Sequence, residues 1–164
     1  MDPTSPEAQA ELAKRHKAAA TTVVGLLVAT VLLSVLAFLG KPYFTEKPNP
    51  TLYFAVRIII LMFGLGAVAW RRTKFQPMRL QDIVGLAGVT GLLKTLEKTT
   101  IQIALLGAAI AATGFIATLM TGDDGYTYLA SAVAVLVFVY CYPTKSSWLR
   151  ALYKFTESKP ANSI

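Results

Sequence analysis

The sequence predicts an all-α polytopic membrane protein. We expect four transmembrane helices arranged as two hairpins, with two amphipathic helices on the cytoplasmic surface. Hydrophobic residues make up 54% of the 164-residue chain and charged residues only 15%, below the roughly 25% that is typical of soluble domains. The apolar residues are gathered in four long windows, and the basic residues are gathered in alternate connections between those windows.

The four windows contain no acidic residue and are each long enough for a membrane span. At 1.5 Å per residue, about 20 residues cross the roughly 30 Å hydrocarbon core. A segment alone in lipid must be helical, because only a helix pairs its own backbone groups. The first window follows a basic cluster, but its apolar run exceeds the roughly 7–15 residues of a signal-peptide core, which favours a retained span. The predicted spans are residues 18–39, 52–70, 100–120 and 126–142.

The distribution of Lys and Arg predicts the orientation. The N-terminal tail 1–17 carries three, the 71–99 connection six and the C-terminal tail 144–164 four, whereas the 40–51 connection carries two and the 121–125 turn none. Basic residues accumulate on the cytoplasmic side of membrane proteins. We therefore expect both termini in the cytoplasm of a bacterial cell, with the chain in the cytoplasmic membrane, and we read the net charge of +7 as orientation rather than nucleic-acid binding.

The sequence predicts two cytoplasmic amphipathic segments, one within the membrane domain of residues 18–143 and one in the tail that follows it. The connection 77–98 has apolar residues at helical spacing and predicts an amphipathic helix on the inner leaflet that turns into the third span or runs on into it. Its three glycines allow close helix contact or mark a break. The tail predicts a second such helix over 146–155, while residues 1–9 and 157–164 are predicted to be disordered. The apolar positions are Leu80, Ile83, Val84, Ala87, Leu86, Val89, Leu93 and Leu96 in the connection, and Trp148, Leu149, Leu152, Tyr153 and Phe155 in the tail.

The outer connections are short. Three prolines predict an extended chain over 40–51, and "TGDDG" at 121–125 predicts a tight turn that joins the last two spans as an antiparallel hairpin. Its two aspartates are interpreted as turn formers rather than a cation site. A shift of 82 residues aligns Gly25 with Gly107 and Ala29 with Ala111, which raises the hypothesis of a duplicated hairpin.

Small residues predict where helices pack. Gly107, Ala111 and Gly114 recur on the third span, and Gly64 and Ala67 offer a partner surface on the second. Small residues at this spacing let membrane helices approach closely. The contact is either within the chain or between subunits.

Arg57 interrupts the apolar run "YFAVRIIILMFG" and is the predicted outer-face charge. It lies about five residues, or roughly 8 Å, inside the outer boundary. Helical side chains lean toward the N-terminus, which here is the outer side, so Arg57 can reach toward Tyr53 and toward Glu46, Asp123 or Asp124. We expect an anchor rather than a translocated charge. Gln102, near the start of the third span, is expected to reach the interface in the same way.

Two resemblances follow from these motifs. A hairpin with a small-residue helix resembles the proteolipid rotor subunits of rotary ATPases, which implies an ion-carrying carboxylate in mid-membrane. Every Asp and Glu here lies outside the four predicted spans, which argues against that activity. The segment "PTKSSW", 143–148, is similar to the end of the last span in small four-span bacterial membrane proteins of uncharacterised function, where it reads P-x-basic-S-x-W.

The sequence assigns no catalytic, cofactor-binding or metal-ligating residue. His16 is interpreted as a flanking polar residue and Cys141 as a small packed thiol. We expect a non-catalytic accessory or scaffolding subunit of a larger membrane complex, with the lipid bilayer and other membrane subunits as partners and no nucleic acid. The alternative is a small oligomeric transporter or channel built around Arg57 and the threonines of the first span. A membrane enzyme acting on a lipid or thioether substrate ranks last.

Overall fold

A computed structural model describes residues 5–43 and 50–157, and the side chains of Pro50 and of residues 155–157 lie outside this description. The described chain is helical and contains no strand. A short 3-10 turn, Lys41–Tyr43, follows the first helix. The helices are α1 (Pro6–Gly40), α2 (Pro50–Lys74), α3 (Pro77–Thr121), α4 (Gly125–Cys141) and α5 (Lys145–Glu157).

Three of these helices, α1, α2 and α3, are each long and apolar enough to cross a membrane. The helix α4 has 17 residues, about 26 Å at 1.5 Å per residue. It reaches spanning length only together with α5, from which it is bent by 45°. The described residues therefore support a membrane protein with three or four spanning helices, where the sequence predicts four.

The helices α3 and α4 form the central pair of the bundle. Both α1 and α2 pack against this pair, and within the described residues α1 and α2 do not contact each other. The prediction of two hairpins is therefore correct for α3 and α4 and wrong for α1 and α2, because the central pair separates them. Residues of α3 face three different neighbours: Gly107 and Gly114 face α4, Ala104 and Ala111 face α1, and Ile103 and Ile110 face α2.

The two ends of the bundle differ in charge. We call the end that holds the start of α1, residues 71–99 and α5 the basic end. The opposite end, called the turn end, holds Lys41, the start of α2 and the 122–124 turn.

The first helix begins earlier than predicted. The Ala8 N–H donates to Ser5 Oγ at 3.2 Å, and Pro6 occupies the first turn, where its missing N–H costs nothing. The prediction of disorder is thus wrong for residues 6–9, and residues 1–4 lie outside the described chain. The helix also continues to Gly40 and is followed by the 3-10 turn, where the sequence predicts an extended chain over 40–51. Residues 44–49 of that predicted segment lie outside the described residues, as do residues 158–164.

Residues 77–98 run on into the third predicted span, which is one of the two alternatives that the sequence left open. They are the first part of α3, which is broken at Gly88 by a backbone of φ 65° and ψ −166°. Only glycine adopts this region without strain. A Cβ on Gly91 would overlap the Cβ of Ala87, so these glycines serve both a break and a close approach.

The apolar side of this segment packs against other parts of the chain. It contacts the start of α1, which the sequence analysis treats as a tail, and α5, and Leu86 alone among its leucines is 91% exposed. Contact of the two amphipathic segments with the inner leaflet stays a prediction. We call this packed group the basic-end cluster; it comprises Ala8, Leu12, Ala19, Leu80, Val89, Leu92, Leu93, Leu96, Trp148 and Leu152.

Candidate functional site

The predicted small residues of α3 lie inside the chain, at close helix contacts. A Cβ on Gly114 would overlap the Cβ of Ala130 and lie 2.7 Å from the Tyr126 carbonyl oxygen. A Cβ on Gly107 would lie 3.1 Å from Phe138 Cε1. Both glycines therefore set the distance between α3 and α4. Ala111 is fully buried on the neighbouring face, in the cluster that joins α3 to α1.

The small residues of α2 also face the chain interior. A Cβ on Gly64 would lie 2.7 Å from Val133 Cγ1, so Gly64 faces α4 rather than the glycines of α3. Ala67 is buried in the cluster shared by α2, α3 and α4.

Other small residues lie on the outer faces of the bundle. A Cβ on Gly25 of α1 or on Gly66 of α2 would meet no atom within 4 Å. Ala29 and Ala69, on the same helices, are exposed as well. Large apolar side chains on the same two helices are exposed too, such as Val28 on α1 and Leu65 on α2, so the outer faces are apolar with a small residue at these positions.

Arg57 packs on an aromatic ring at the turn end. Its Cζ lies 3.8 Å above the centre of the Tyr53 ring, and Tyr53 in turn meets Tyr126 edge to face at 5.8 Å. Within the described residues no carboxylate forms an ion pair with Arg57; Asp124 pairs with Lys41 at 3.1 Å instead. Of the expected contacts, the structure brings Tyr53 to Arg57, and Glu46 lies outside the described residues.

The aspartates of the 122–124 turn have structural partners. The Asp123 side chain accepts the Gly125 N–H at 2.8 Å, the short-range bond that defines an Asx turn. Gly122 ends α3 in the left-handed region with φ 77°. The turn therefore has the conformation that the sequence predicts.

A charged network at the basic end joins α1 to α3. The Arg15 guanidinium donates to Glu11 at 2.6 Å and to Glu97 at 2.7 Å. The hydrogen bond to Glu97 is the main cause that raises the pKa of Arg15, partial burial opposes it, and Glu11 adds to it. Sequence reasoning missed this network, although Glu11 and Arg15 have the four-residue spacing of helical ion pairs.

His16 joins α1 to the connection between α4 and α5. Its Nε2 lies 2.8 Å from the Pro143 carbonyl oxygen, which requires a proton on that nitrogen. Its ring meets Trp148 edge to face at 5.7 Å. The prediction of a merely flanking polar residue misses this contact, and no local pattern could reveal it because 127 residues separate the two partners.

Two grooves open on the sides of the bundle. The first, of about 300 Å³, lies between α1 and α4 and has an almost wholly apolar surface, although Thr30, Ser34, Tyr128 and Ser131 are among its lining residues. Ser34 Oγ donates to Ser131 Oγ at 2.8 Å. The second, of about 220 Å³, lies between α2 and α3 at the basic end and is lined by Trp70, Gln102, Ile103, Leu105 and Leu106.

Within residues 5–43 and 50–157 there is no group of three His, Cys, Asp or Glu side chains that could hold a metal ion. Cys141 is buried in the core between α2, α3 and α4. The described side chains thus offer helix-packing surfaces, an ion-pair network and two lateral grooves. No protein-family model, curated protein or solved structure matches this chain.

Proposed function

We propose that the chain is a non-catalytic accessory or scaffolding subunit of a larger membrane complex. The observation that carries the proposal is the uncovered pair Gly25 and Gly66 on the outer faces of α1 and α2. Membrane helices associate through small residues that let two backbones approach. Gly107, Ala111, Gly114, Gly64 and Ala67 pack inside the chain, whereas Gly25 and Gly66 are open to a helix of another subunit.

The basic end supports a scaffolding role. The Arg15–Glu97 ion pair and the His16–Pro143 hydrogen bond tie α1 to α3 and to the start of α5. The basic-end cluster adds an apolar core below them. Because these contacts fix α1 at its basic end, less conformational entropy is lost when a partner docks on its outer face.

The proposal includes a location in the bacterial cytoplasmic membrane with the basic end in the cytoplasm, supported by the positive-inside rule. The test uses Cys141→Ser as background and adds Lys17→Cys or Tyr43→Cys, both at exposed positions at opposite ends. A membrane-impermeant maleimide should label Tyr43→Cys in intact cells and Lys17→Cys only after permeabilisation. The reverse pattern would overturn the orientation.

The subunit role is tested by purifying the chain from its native membrane in mild detergent and measuring the mass of the particle. Wild type should elute as a stoichiometric complex with at least one other membrane protein. Gly25→Leu should lose that partner, because a leucine prevents the close approach of a second helix. Val35→Leu is the matched control, since Val35 is already a 46% exposed apolar residue on α1. A wild-type chain that is monomeric or purely homo-oligomeric in its native membrane would refute the proposal.

A second candidate is a small transporter or channel. The observation that favours it is the hydroxyl-bearing groove between α1 and α4, where Ser34 and Ser131 meet at 2.8 Å. Hydroxyls on an apolar wall can replace part of the hydration shell of a small polar solute. A discrete homo-oligomer that conducts solute in liposomes, with flux abolished by Ser34→Val and Ser131→Val, would replace the subunit proposal by this one.

A further inference from the structure

The groove between α2 and α3 combines an apolar floor with polar groups at one end. Ile103, Leu105 and Leu106 supply the floor, and Trp70 and Gln102 supply N–H donors. Its volume is about 220 Å³. Tryptophan is favoured at the level of lipid headgroups because its ring is apolar and its N–H is polar.

On the side of the basic end, two lysines are each one helical turn along the chain from a residue that lines this groove. Lys74 is one helical turn beyond Trp70, and Lys98 is one turn before Gln102. Because α2 runs toward the basic end and α3 runs away from it, both lysines lie on the same side of the groove. The Lys74 Nζ is 5.6 Å from the centre of the Trp70 ring.

Within the described residues, neither lysine forms an ion pair with a carboxylate. The ion pairs of residues 5–43 and 50–157 are Arg15 with Glu11, Arg15 with Glu97, and Lys41 with Asp124. A nearby cation, Arg71, is turned toward α4, with its Cζ 4.5 Å above the Tyr140 ring. Neither Lys74 nor Lys98 takes part in these ion pairs, and each is one helical turn from a residue that lines the groove.

We propose that this groove binds one anionic phospholipid, with an acyl chain along Ile103, Leu105 and Leu106 and the headgroup phosphate between Lys74 and Lys98. The order of groups, apolar then amphipathic then cationic, matches the order along a phospholipid from chain to headgroup. The negative surface of an anionic leaflet attracts lysines that lie near it. The inference needs the membrane location of the proposed function and is independent of the subunit role.

The groove between α1 and α4 provides the internal contrast. It is the larger of the two, about 300 Å³, but its polar groups are neutral hydroxyls. An anionic lipid therefore has an electrostatic reason to prefer the groove between α2 and α3.

The test measures lipid binding to the delipidated full chain in mild detergent. Native mass spectrometry compares phosphatidylglycerol with phosphatidylcholine of the same acyl chains. Wild type should retain one phosphatidylglycerol with at least tenfold preference. Lys74→Gln with Lys98→Gln should reduce that preference about tenfold, because both attractions to the phosphate are lost. The matched control is Lys14→Gln with Lys94→Gln, which removes the same charge from two other exposed positions at the basic end.

A second measurement locates the lipid. In a Trp148→Phe background, phosphatidylglycerol brominated on its acyl chains should quench the remaining Trp70 fluorescence, and soluble glycerol phosphate should not displace it. Equal loss of preference in both lysine pairs would show diffuse attraction and overturn the site. The assignment of a phospholipid to this groove would be overturned by any of three results: no quenching, displacement by glycerol phosphate, or a co-purifying protein that protects Trp70 from the brominated lipid.

Discussion

Replacing Gly114 by alanine tests whether the close approach of α3 and α4 stabilises the bundle. The added Cβ would overlap the Cβ of Ala130 and lie 2.7 Å from the Tyr126 carbonyl oxygen. Backbone cannot yield as a flexible side chain does, so the two helices must separate. Overpacking of this kind costs about 1–3 kcal/mol. Alanine recovers up to about 1 kcal/mol of helix propensity, and we expect a net loss of about 1–2 kcal/mol in the free energy of unfolding.

Gly66→Ala is the matched control, because the same methyl group on α2 would meet no atom within 4 Å. It should leave the free energy of unfolding unchanged or raise it by up to about 1 kcal/mol. The assay is reversible unfolding in dodecyl maltoside by increasing dodecyl sulfate, followed by circular dichroism. Equal stabilities of the two variants, or a Gly114→Ala protein more stable than wild type, would refute the close approach.

Three further sets of variants test other parts of the bundle. Gly88→Ala should destabilise the basic-end packing by about 1–3 kcal/mol, because a φ of 65° and a ψ of −166° strain any residue other than glycine. The loss should be seen as faster proteolysis at the basic end, and the control Gly85→Ala, where a Cβ would lie in open space, should show no such change. Arg15→Gln and Glu97→Gln should show a coupling free energy of about 1 kcal/mol in a double-mutant cycle, because both side chains are 23% exposed and partly screened; additive effects would contradict the ion pair. Arg57→Lys should leave the free energy of unfolding unchanged, and Arg57→Leu should lower it by about 0.5–1 kcal/mol because the contact with the Tyr53 ring is lost. Loss of transport by Arg57→Lys in a normally assembled protein would instead show a translocation role.

Local features of the chain are the ones that the sequence predicts well. The apolar windows agree with the helices, and α4, Gly125–Cys141, differs by one residue at each end from the predicted span. The turn at 122–124 also has its predicted form, because the conformations of Gly122 and Asp123 depend on residues only a few positions away. Such features need no knowledge of where the rest of the chain lies.

Contacts between distant segments were predicted poorly. The ion pair between Arg15 and Glu97 joins residues 82 apart, and the His16 contact to Pro143 joins residues 127 apart. In the sequence, the charged residues among them look like ordinary flanking groups of a span. The hypothesis of a duplicated hairpin, which rests on the same shift of 82, stays a prediction.

The sequence by itself determined that the chain is helical and belongs to the membrane class, because hydrocarbon accepts only segments that pair their own backbone groups. It also predicted close packing at Gly107, Gly114 and Gly64. Only the tertiary structure decided what each one meets. Helices that are apolar on all sides have no polar face to separate the protein interior from the lipid. Which side of α1 or α2 is buried therefore depends on tertiary packing. The central α3–α4 pair separates these two helices, and the amphipathic start of α3 packs against α1 and α5.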